Sequence, residues 1–174
     1  MAIKIKKGKN KSSGFTIIEL IFSVLIFVIG VLGVYSVQTK IVADTTFAVD
    51  KLIASYLSQE GIEIVRNIRD TNWVNGVDWK YNLPTGNWEA DYSDHNLVDS
   101  YTGDKLYIDN NHLYGYSHSP GSQQTKFQRE ISVSQGTDSD DNNFLAVIST
   151  VYWENRGKTY SFSAQENLYN WYGQ

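Results

Sequence analysis

The chain begins with a short polar segment and then becomes apolar for 23 residues. Residues 15–37 read FTIIELIFSVLIFVIGVLGVYSV and contain a single charged side chain, Glu19. An α-helix rises about 1.5 Å per residue, so this stretch is long enough to cross a hydrocarbon core about 30 Å thick. A buried core helix or a cleaved signal peptide explains the pattern less well, because the run is long and no A-x-A cleavage pattern follows it. The pattern predicts a membrane-spanning helix.

A helical periodicity continues through residues 38–70. Apolar residues recur at spacings of three, four and seven: Ile53, Tyr56, Leu57, Ile64, Val65 and Ile68. Gly61 lies on the same face, between Leu57 and Ile64. Charged residues mostly take the other side, where Arg66 and Asp70 are i,i+4 neighbours. This pattern predicts an amphipathic continuation of the helix that packs on a sheet.

Residues 71–174 have the short, aromatic and β-branched runs of a small sheet. Residues 71–104 are rich in Asn, Asp and Gly and predict an irregular region. Strands are predicted at 106–108 and 113–114 as a hairpin, at 127–134, at 144–154 and at 159–164, with a turn at 155–158. The aromatic residues 168–172 are expected to pack back onto the domain. We therefore expect three to five antiparallel strands against the amphipathic helix, which is an α+β head.

The charges are unevenly distributed along the chain. Five of the 15 Lys and Arg lie in the first 14 residues: Lys4, Lys6, Lys7, Lys9 and Lys11. The other 160 residues therefore hold ten basic side chains and all 19 acidic ones. The basic end is expected to stay in the cytoplasm and the acidic body to face outwards. The net charge of −4 argues against nucleic acid as a partner. The absence of cysteine excludes disulfides, thiolate catalysis and Cys-based zinc sites.

Candidate chemistry in the head is sparse. The three histidines, His95, His112 and His118, lie in polar stretches and are expected at the surface. Residues 138–143 place oxygens as in a calcium loop, but Asn143 replaces its Gly and Ser149 its final Glu, so a solvated acidic turn is favoured. The run Gly115-Tyr116-Ser117-His118-Ser119 lacks the closing Gly of a nucleophile elbow. We therefore expect no enzyme, no cofactor and no metal.

One motif is more specific. A Lys-rich leader, Gly14, and then Phe15-Thr16-Ile17-Ile18-Glu19-Leu20 at the start of the apolar run resemble the N-terminus of bacterial type IV prepilins and pseudopilins. The resemblance implies that a prepilin peptidase cleaves between Gly14 and Phe15 and methylates the new N-terminus of Phe15. It also implies that Glu19 pairs with the N-terminal amine of a neighbouring subunit during assembly. Residues 58–63 and 66–70 are similar to PilV-like minor pilins in particular.

The resemblance also implies an organisation and a function. Residues 1–14 are the leader, 15–37 the transmembrane and filament-core helix, 38–70 its amphipathic continuation, and 71–174 a globular head. The chain is expected to be a structural subunit of a type IV pilus, or of a type II secretion or competence pseudopilus. It would lie in the inner membrane as a single-pass protein with a cytoplasmic N-terminus, and then in the filament.

The implied partners are prepilin peptidase, other pilin subunits, the inner-membrane assembly platform, and membrane lipid before assembly. Two alternatives stay open. The chain could be a signal-anchored extracytoplasmic binding protein, or a pilus-tip adhesin whose exposed aromatic residues stack on sugars or bases.

Overall fold

The computed structural model describes residues 14–171, so the leader up to residue 13 and the last three residues lie outside the described residues. One long helix is followed by an antiparallel sheet, which is the α+β arrangement expected. The elements are α1 (Ile17–Val74), β1 (Gly86–Glu89), β2 (Asp99–Ser100), β3 (Lys105–Ile108), β4 (Tyr114–Gly115), β5 (Gln123–Thr137), β6 (Asn143–Asn155) and β7 (Lys158–Tyr169). The chain divides into two compact units, Met1–Thr45 and Thr46–Gln174.

The helix α1 ends four residues later than the predicted boundary at residue 70. Gly76 adopts a left-handed conformation with φ of 67°. The N–H of Gly76 donates to the carbonyl of Trp73 at 3.1 Å, and the N–H of Val77 donates to the carbonyl of Asn72 at 3.0 Å. These two bonds form a Schellman motif, which satisfies the last helical carbonyls. The Asn75-Gly76 pair therefore ends the helix.

The three long strands form the body of the sheet. β6 lies between β5 and β7, and β1 and β3 share the far edge of β5, each followed outwards by a two-residue strand. The turn between β6 and β7 has positive φ at Arg156 (54°) and Gly157 (72°). Two consecutive positive φ values are typical of a two-residue hairpin turn, whose twist suits the flanking strands. The predicted hairpin at 155–158 is confirmed.

The sheet has seven strands, more than the three to five expected. The predicted hairpin of 106–108 with 113–114 is confirmed, since Ile108 pairs with Tyr114. The prediction that 71–104 is irregular is wrong in part, because it contains β1 and β2. Gly, Asn and Asp are uncommon in strands, so the sequence gives little sign of these two. β1 forms because Gly86–Trp88 pairs with an edge of β5, and β2 pairs with β1. The expected packing of 168–172 is confirmed as far as residue 171: Leu168, at the end of β7, lies in the core, and the Trp171 ring meets the Trp73 ring edge-on at 4.8 Å. Tyr172 lies outside the described residues.

The core lies between α1 and the inward face of the sheet, all within the unit Thr46–Gln174. Alternate residues of β5 and β6 point inwards and pack against one face of the helix. The helix contributes Ala54, Leu57, Ile64, Val65 and Ile68. The two strands contribute Phe127, Ile131, Val133, Leu145, Val147, Val151 and Trp153. The predicted amphipathic face is confirmed except at Tyr56, which is 63% exposed, and Ile53, which is half-buried.

Gly61 marks the closest approach of helix and sheet. A Cβ at this position would overlap the Ser149 hydroxyl and would lie 3.0 Å from Ser149 Cβ and 3.1 Å from Arg129 Cδ. The hydroxyl of Ser149 is itself buried and lacks a hydrogen-bond partner among the described residues. Only glycine therefore lets the helix approach β5 and β6 this closely.

We predict that Gly61→Ala destabilises the head by about 1–3 kcal/mol, because the added methyl group overpacks a filled contact. Ser149→Ala removes the overlapping hydroxyl and should be nearly neutral alone, since that hydroxyl is unsatisfied. The double variant should lose less stability than Gly61→Ala. Urea unfolding of the full chain in detergent, followed by tryptophan fluorescence, measures these differences, and strictly additive losses would contradict the contact.

Candidate functional site

The junction that carries the motif lies immediately before α1. Gly14, Phe15 and Thr16 have no regular secondary structure. The Thr16 hydroxyl accepts a hydrogen bond from the Glu19 N–H at 3.3 Å, and the Thr16 carbonyl accepts one from the Leu20 N–H at 3.1 Å. Thr16 is therefore the N-cap of α1, and Thr16 and Glu19 have the spacing of a capping box. The Gly14–Phe15 bond thus lies in non-helical chain.

Glu19 lies in the first turn of α1, where the helix dipole favours a negative charge. Its side chain is exposed, and its backbone N–H and carbonyl make the only hydrogen bonds it has within residues 14–171. No ion pair within that range involves the carboxylate. An unpaired carboxylate in an apolar surrounding is costly, so Glu19 is suited to a cation from another molecule.

The apolar part of α1 is uncovered by its own chain. The helix contains a window with mean hydropathy 2.8 of which no residue is buried, and α1 is long and apolar enough to cross a membrane. Three hydroxyl side chains in this part bond to carbonyls of their own helix. Ser23 donates to Glu19 at 2.7 Å, Ser36 to Gly33 at 3.1 Å and Thr39 to Ser36 at 2.9 Å. Such back-bonding leaves a surface that fits lipid or other helices.

Comparison with known proteins identifies this segment. A family model described as the prokaryotic N-terminal methylation motif matches residues 9–35. The match supports a type IV prepilin or pseudopilin-family protein. The motif indicates a type IV pilin-like protein that prepilin peptidase processes. No match was found among curated proteins or among solved structures, so the similarity to PilV-like minor pilins is not confirmed.

The histidines of this pilin-like protein lie where a surface role predicts them. His95, His112 and His118 are all exposed. The ring of His118 meets the ring of Tyr107 edge-on at 5.0 Å. Within residues 14–171, no group of three or more His, Asp or Glu side chains is arranged to hold a metal ion.

The acidic turn at 138–143 uses its first carboxylate internally. Asp138 accepts hydrogen bonds from the N–H groups of Asn142 at 2.8 Å and Asp140 at 3.0 Å. The bond from the Asn142 N–H is the main reason that the pKa of Asp138 lies below its ordinary value. The side chain that would start a calcium loop therefore closes its own turn, which supports the interpretation as a solvated acidic turn.

The main polar contacts between helix and sheet were missed from the sequence. Arg129 is fully buried, and it donates to the carbonyls of Leu57 at 3.2 Å and Ala90 at 2.6 Å. It also forms an ion pair with Glu60 at 3.2 Å. Side chains alternate between the two faces of a strand, so Arg129 lies on the same inward face of β5 as Phe127 and Ile131. This alternation is the signal that could have revealed a buried arginine.

Other ion pairs differ from the expected arrangement on the helix. Arg66 contacts Glu63 and Glu166 and not its i,i+4 neighbour Asp70. Asp70 instead pairs with Arg69 at 2.8 Å. The competing partner Glu166 lies on β7, a contact between distant parts of the sequence that helical spacing does not reveal.

A polar cavity of about 770 Å³ opens beside β1, β3 and the loops around them. Its two most buried carboxylates, Glu89 and Asp91, both accept backbone N–H groups. Glu89 accepts the N–H groups of three consecutive residues, Thr102, Gly103 and Asp104, at 2.8–3.0 Å. Asp91 accepts the N–H of Tyr116 at 2.9 Å and both the N–H and the hydroxyl of Ser93. These acids hold loops in place and are not set up as an acid–base pair.

The environment of Asp91 favours its ionised form. Burial by itself raises the pKa of Asp91. The hydrogen bonds from Ser93 and Tyr116 and the positive charge of Arg129 outweigh burial, and the pKa lies below its ordinary value. A carboxyl whose pKa is lower in the folded state stabilises the fold above its unfolded pKa, and this contribution disappears as the pH falls through the folded pKa.

We predict that Asp91→Asn destabilises the head at pH 7, and that the difference from the wild type shrinks as the pH falls below about 4. Urea unfolding at a series of pH values measures both stabilities. Asp99→Asn, at the exposed rim of the same cavity, is the matched control. A destabilisation by Asp91→Asn that stays constant down to pH 3 would show that its ionised form is not what matters.

Proposed function

We propose that the chain is a structural subunit of a type IV pilus or a related type II secretion or competence pseudopilus, assembled through the apolar part of α1. The observation that carries this proposal is Glu19, an exposed and unpaired carboxylate in the first turn of an uncovered apolar helix. Family membership favours a structural protein and not an enzyme. The described residues are consistent with this, since the buried carboxylates Glu89 and Asp91 are occupied in holding loops.

The proposed cleavage site is the Gly14–Phe15 bond. The non-helical backbone there can enter a peptidase without unwinding α1, whose first residue is Ile17. A Cβ at Gly14 would meet no atom within 4 Å, so the fold of this chain does not itself require glycine. The requirement for glycine at this position would therefore belong to the peptidase.

Cleavage at this bond would create the partner that Glu19 lacks. The leader takes all its lysines with it and leaves an α-amine on Phe15, the residue proposed to be methylated. A free α-amine has an ordinary pKa of about 7.7–8.0 and is largely cationic near neutral pH. Pairing this amine with Glu19 of a neighbouring subunit neutralises two charges that are each penalised in an apolar surrounding. Processing would thus permit assembly.

The same features support the proposed location and partners. The lysines of the leader favour a cytoplasmic N-terminus, and the acidic head would face outwards from the inner membrane. Prepilin peptidase would act first, and the inner-membrane assembly platform would then extract the subunit from lipid to join other pilins. The proposed organisation keeps a leader (1–14), a span (15–37), an amphipathic segment (38–70) and a head (71–174).

A signal-anchored binding protein is the alternative that Glu19 distinguishes. A plain membrane anchor has no use for a carboxylate in its apolar run or for a specific Gly14–Phe15 junction. A tip adhesin would share the assembly mechanism and add a function of the head, so it is tested at the head and not at Glu19.

We predict that Glu19→Leu inserts into the membrane but enters filaments at least about ten-fold less than wild type, because stranding a buried charge costs about 3–5 kcal/mol. Immunoblots of sheared filaments and of membranes give the ratio. Ser23→Leu is the matched control, since it removes a polar side chain one turn further along. Equal incorporation of the two variants would contradict the proposed role of Glu19.

A further inference from the structure

The basic side chains of the head are gathered at one end of the sheet. Residues 71–174 contain 13 acidic and six basic residues. One of the six, Arg129, is buried in the core, and Lys80 lies over the ring of Trp79. The other four lie at the start of β3, near the start of β5, and in the turn between β6 and β7: Lys105, Lys126, Arg156 and Lys158. An acidic domain therefore has one positively charged end.

Three of these cations share a cleft of about 360 Å³, which we call the cationic cleft. Lys105, Lys126 and Arg156 border it, and Glu154 is the one carboxylate among its described lining residues. Within residues 14–171, no ion pair involves Lys105 or Arg156. A cleft lined by charges of one sign concentrates their field, so the cationic cleft attracts anions.

The cationic cleft is fixed at the end of the head where the chain enters it. Asp50 is buried on α1, and its carboxylate pairs with Lys126 at 2.6 Å. The same carboxylate accepts a hydrogen bond from the side-chain amide of Asn155 at 3.0 Å. Asn155 immediately precedes Arg156, so Asp50 holds two cations of the cleft beside the helix. Asp50 is the fifth residue of the unit Thr46–Gln174.

The chain that enters this end of the head comes from the proposed membrane span. Only twelve residues, 38–49, separate the apolar run 15–37 from Asp50. Twelve helical residues are about 18 Å long. The lipid headgroups extend about 5–8 Å beyond the hydrocarbon core, and their surface charge acts over about 8–10 Å more. The tether therefore keeps the cationic cleft within reach of the charged surface of the bilayer.

We propose that the cationic cleft binds the headgroup phosphate of an anionic phospholipid while the subunit is in the membrane, before filament assembly. This inference rests on the membrane anchoring in the proposed function. Lys and Arg near an anionic membrane surface are attracted to it, and salt screens the attraction. The rest of the head is acidic and is repelled by the same surface. Charge complementarity thus selects this end of the head for the contact.

Headgroup quenching in nanodiscs tests the contact with the full chain. The chain has no cysteine, so one introduced cysteine carries a fluorescent label. Thr159→Cys places the label at the cleft, and Ser139→Cys, in the turn at the other end of β6, is the matched control. Discs of phosphatidylcholine alone or with phosphatidylglycerol both contain a lipid with a spin-labelled headgroup. Anionic discs should quench the Thr159→Cys label at least about two-fold more than neutral discs, and the Ser139→Cys label equally in both.

A pair of neutralising variants tests the cleft itself. In the Thr159→Cys background, Arg156→Asn removes a cleft cation, and asparagine tolerates the left-handed backbone of this turn position, where φ is 54°. It should reduce the extra quenching by anionic lipid at least about two-fold. Lys80→Gln removes the same charge from another part of the head and should reduce it far less. Equal effects of the two variants would contradict binding in the cleft.

Salt and free phosphate complete the test. Raising the ionic strength to about 0.5 M should remove the dependence on anionic lipid, because the Debye length falls to about 4 Å. A dependence that persists at this salt concentration would overturn the electrostatic contact. Loss of the dependence on adding millimolar inorganic phosphate at constant ionic strength would indicate a site for the free anion and overturn the choice of the membrane.

The outcomes separate this inference from the proposed function. Equal quenching of the Thr159→Cys label in both kinds of disc would overturn the lipid contact, and so would an equal increase at Ser139→Cys. Both results leave membrane anchoring intact. Failure of the full chain to insert into any disc would instead contradict the anchoring on which the inference rests. Incorporation into filaments, which the Glu19 variants measure, is independent of these readings.

Discussion

The apolar surface of α1 is the constraint on which the rest of the account depends. Each Å² of such surface removed from water contributes about 25 cal/mol, and the described part of the chain buries none of the most apolar window. The surface must therefore be covered by lipid or by other helices. Glu19 is the one charged residue within 15–37. Moving its carboxylate into an apolar surrounding costs free energy unless a cation pairs with it. A new N-terminal amine on Phe15 would be such a cation, which connects cleavage of the leader with assembly.

The head is held by contacts that leave little chemistry free. Gly61 lets the helix approach Ser149 closely, and the buried Arg129 joins Leu57 of the helix to Ala90 of the loop after β1. The carboxylates of Glu89 and Asp91 satisfy backbone N–H groups of neighbouring loops. Without disulfides, the domain relies on these polar contacts and on aromatic packing. The two buried carboxylates thus have a structural use in the folded domain.

The sequence predicted those features that depend on interactions between neighbouring residues along the chain. Periodicity and turn chemistry predicted the apolar run 15–37, the hairpin turn at Arg156 and Gly157, and the buried helix positions Leu57, Ile64, Val65 and Ile68. The end of α1 was placed too early because the Asn75-Gly76 stop was not recognised. The strand β1 was missed because its pairing with β5 is a contact between distant segments, and β2 was missed because it in turn pairs with β1. Arg129 was not recognised as a buried residue, although the alternation along β5 places it inside.

The candidate site was found from the sequence because its signal is contiguous. Gly14, Phe15 and Glu19 lie within six residues, and the family motif covers all three. The capping role of Thr16 could not be predicted from the sequence, because it depends on where the helix begins. The exposure of Val49, Leu52 and Tyr56 could not be predicted either, because it depends on which face the sheet covers. Tyr56 in particular has the spacing of a core residue and lies on the opposite side.

The link between cleavage and assembly can be tested by the intact mass of the chain recovered from sheared filaments and from membranes of cells with active prepilin peptidase. We expect the filament form to begin at Phe15, with or without one added methyl group. A chain in filaments that still begins at Met1 would contradict the claim that cleavage creates the partner of Glu19. A chain that begins at Met1 in membranes and is absent from filaments would reduce α1 to a membrane anchor.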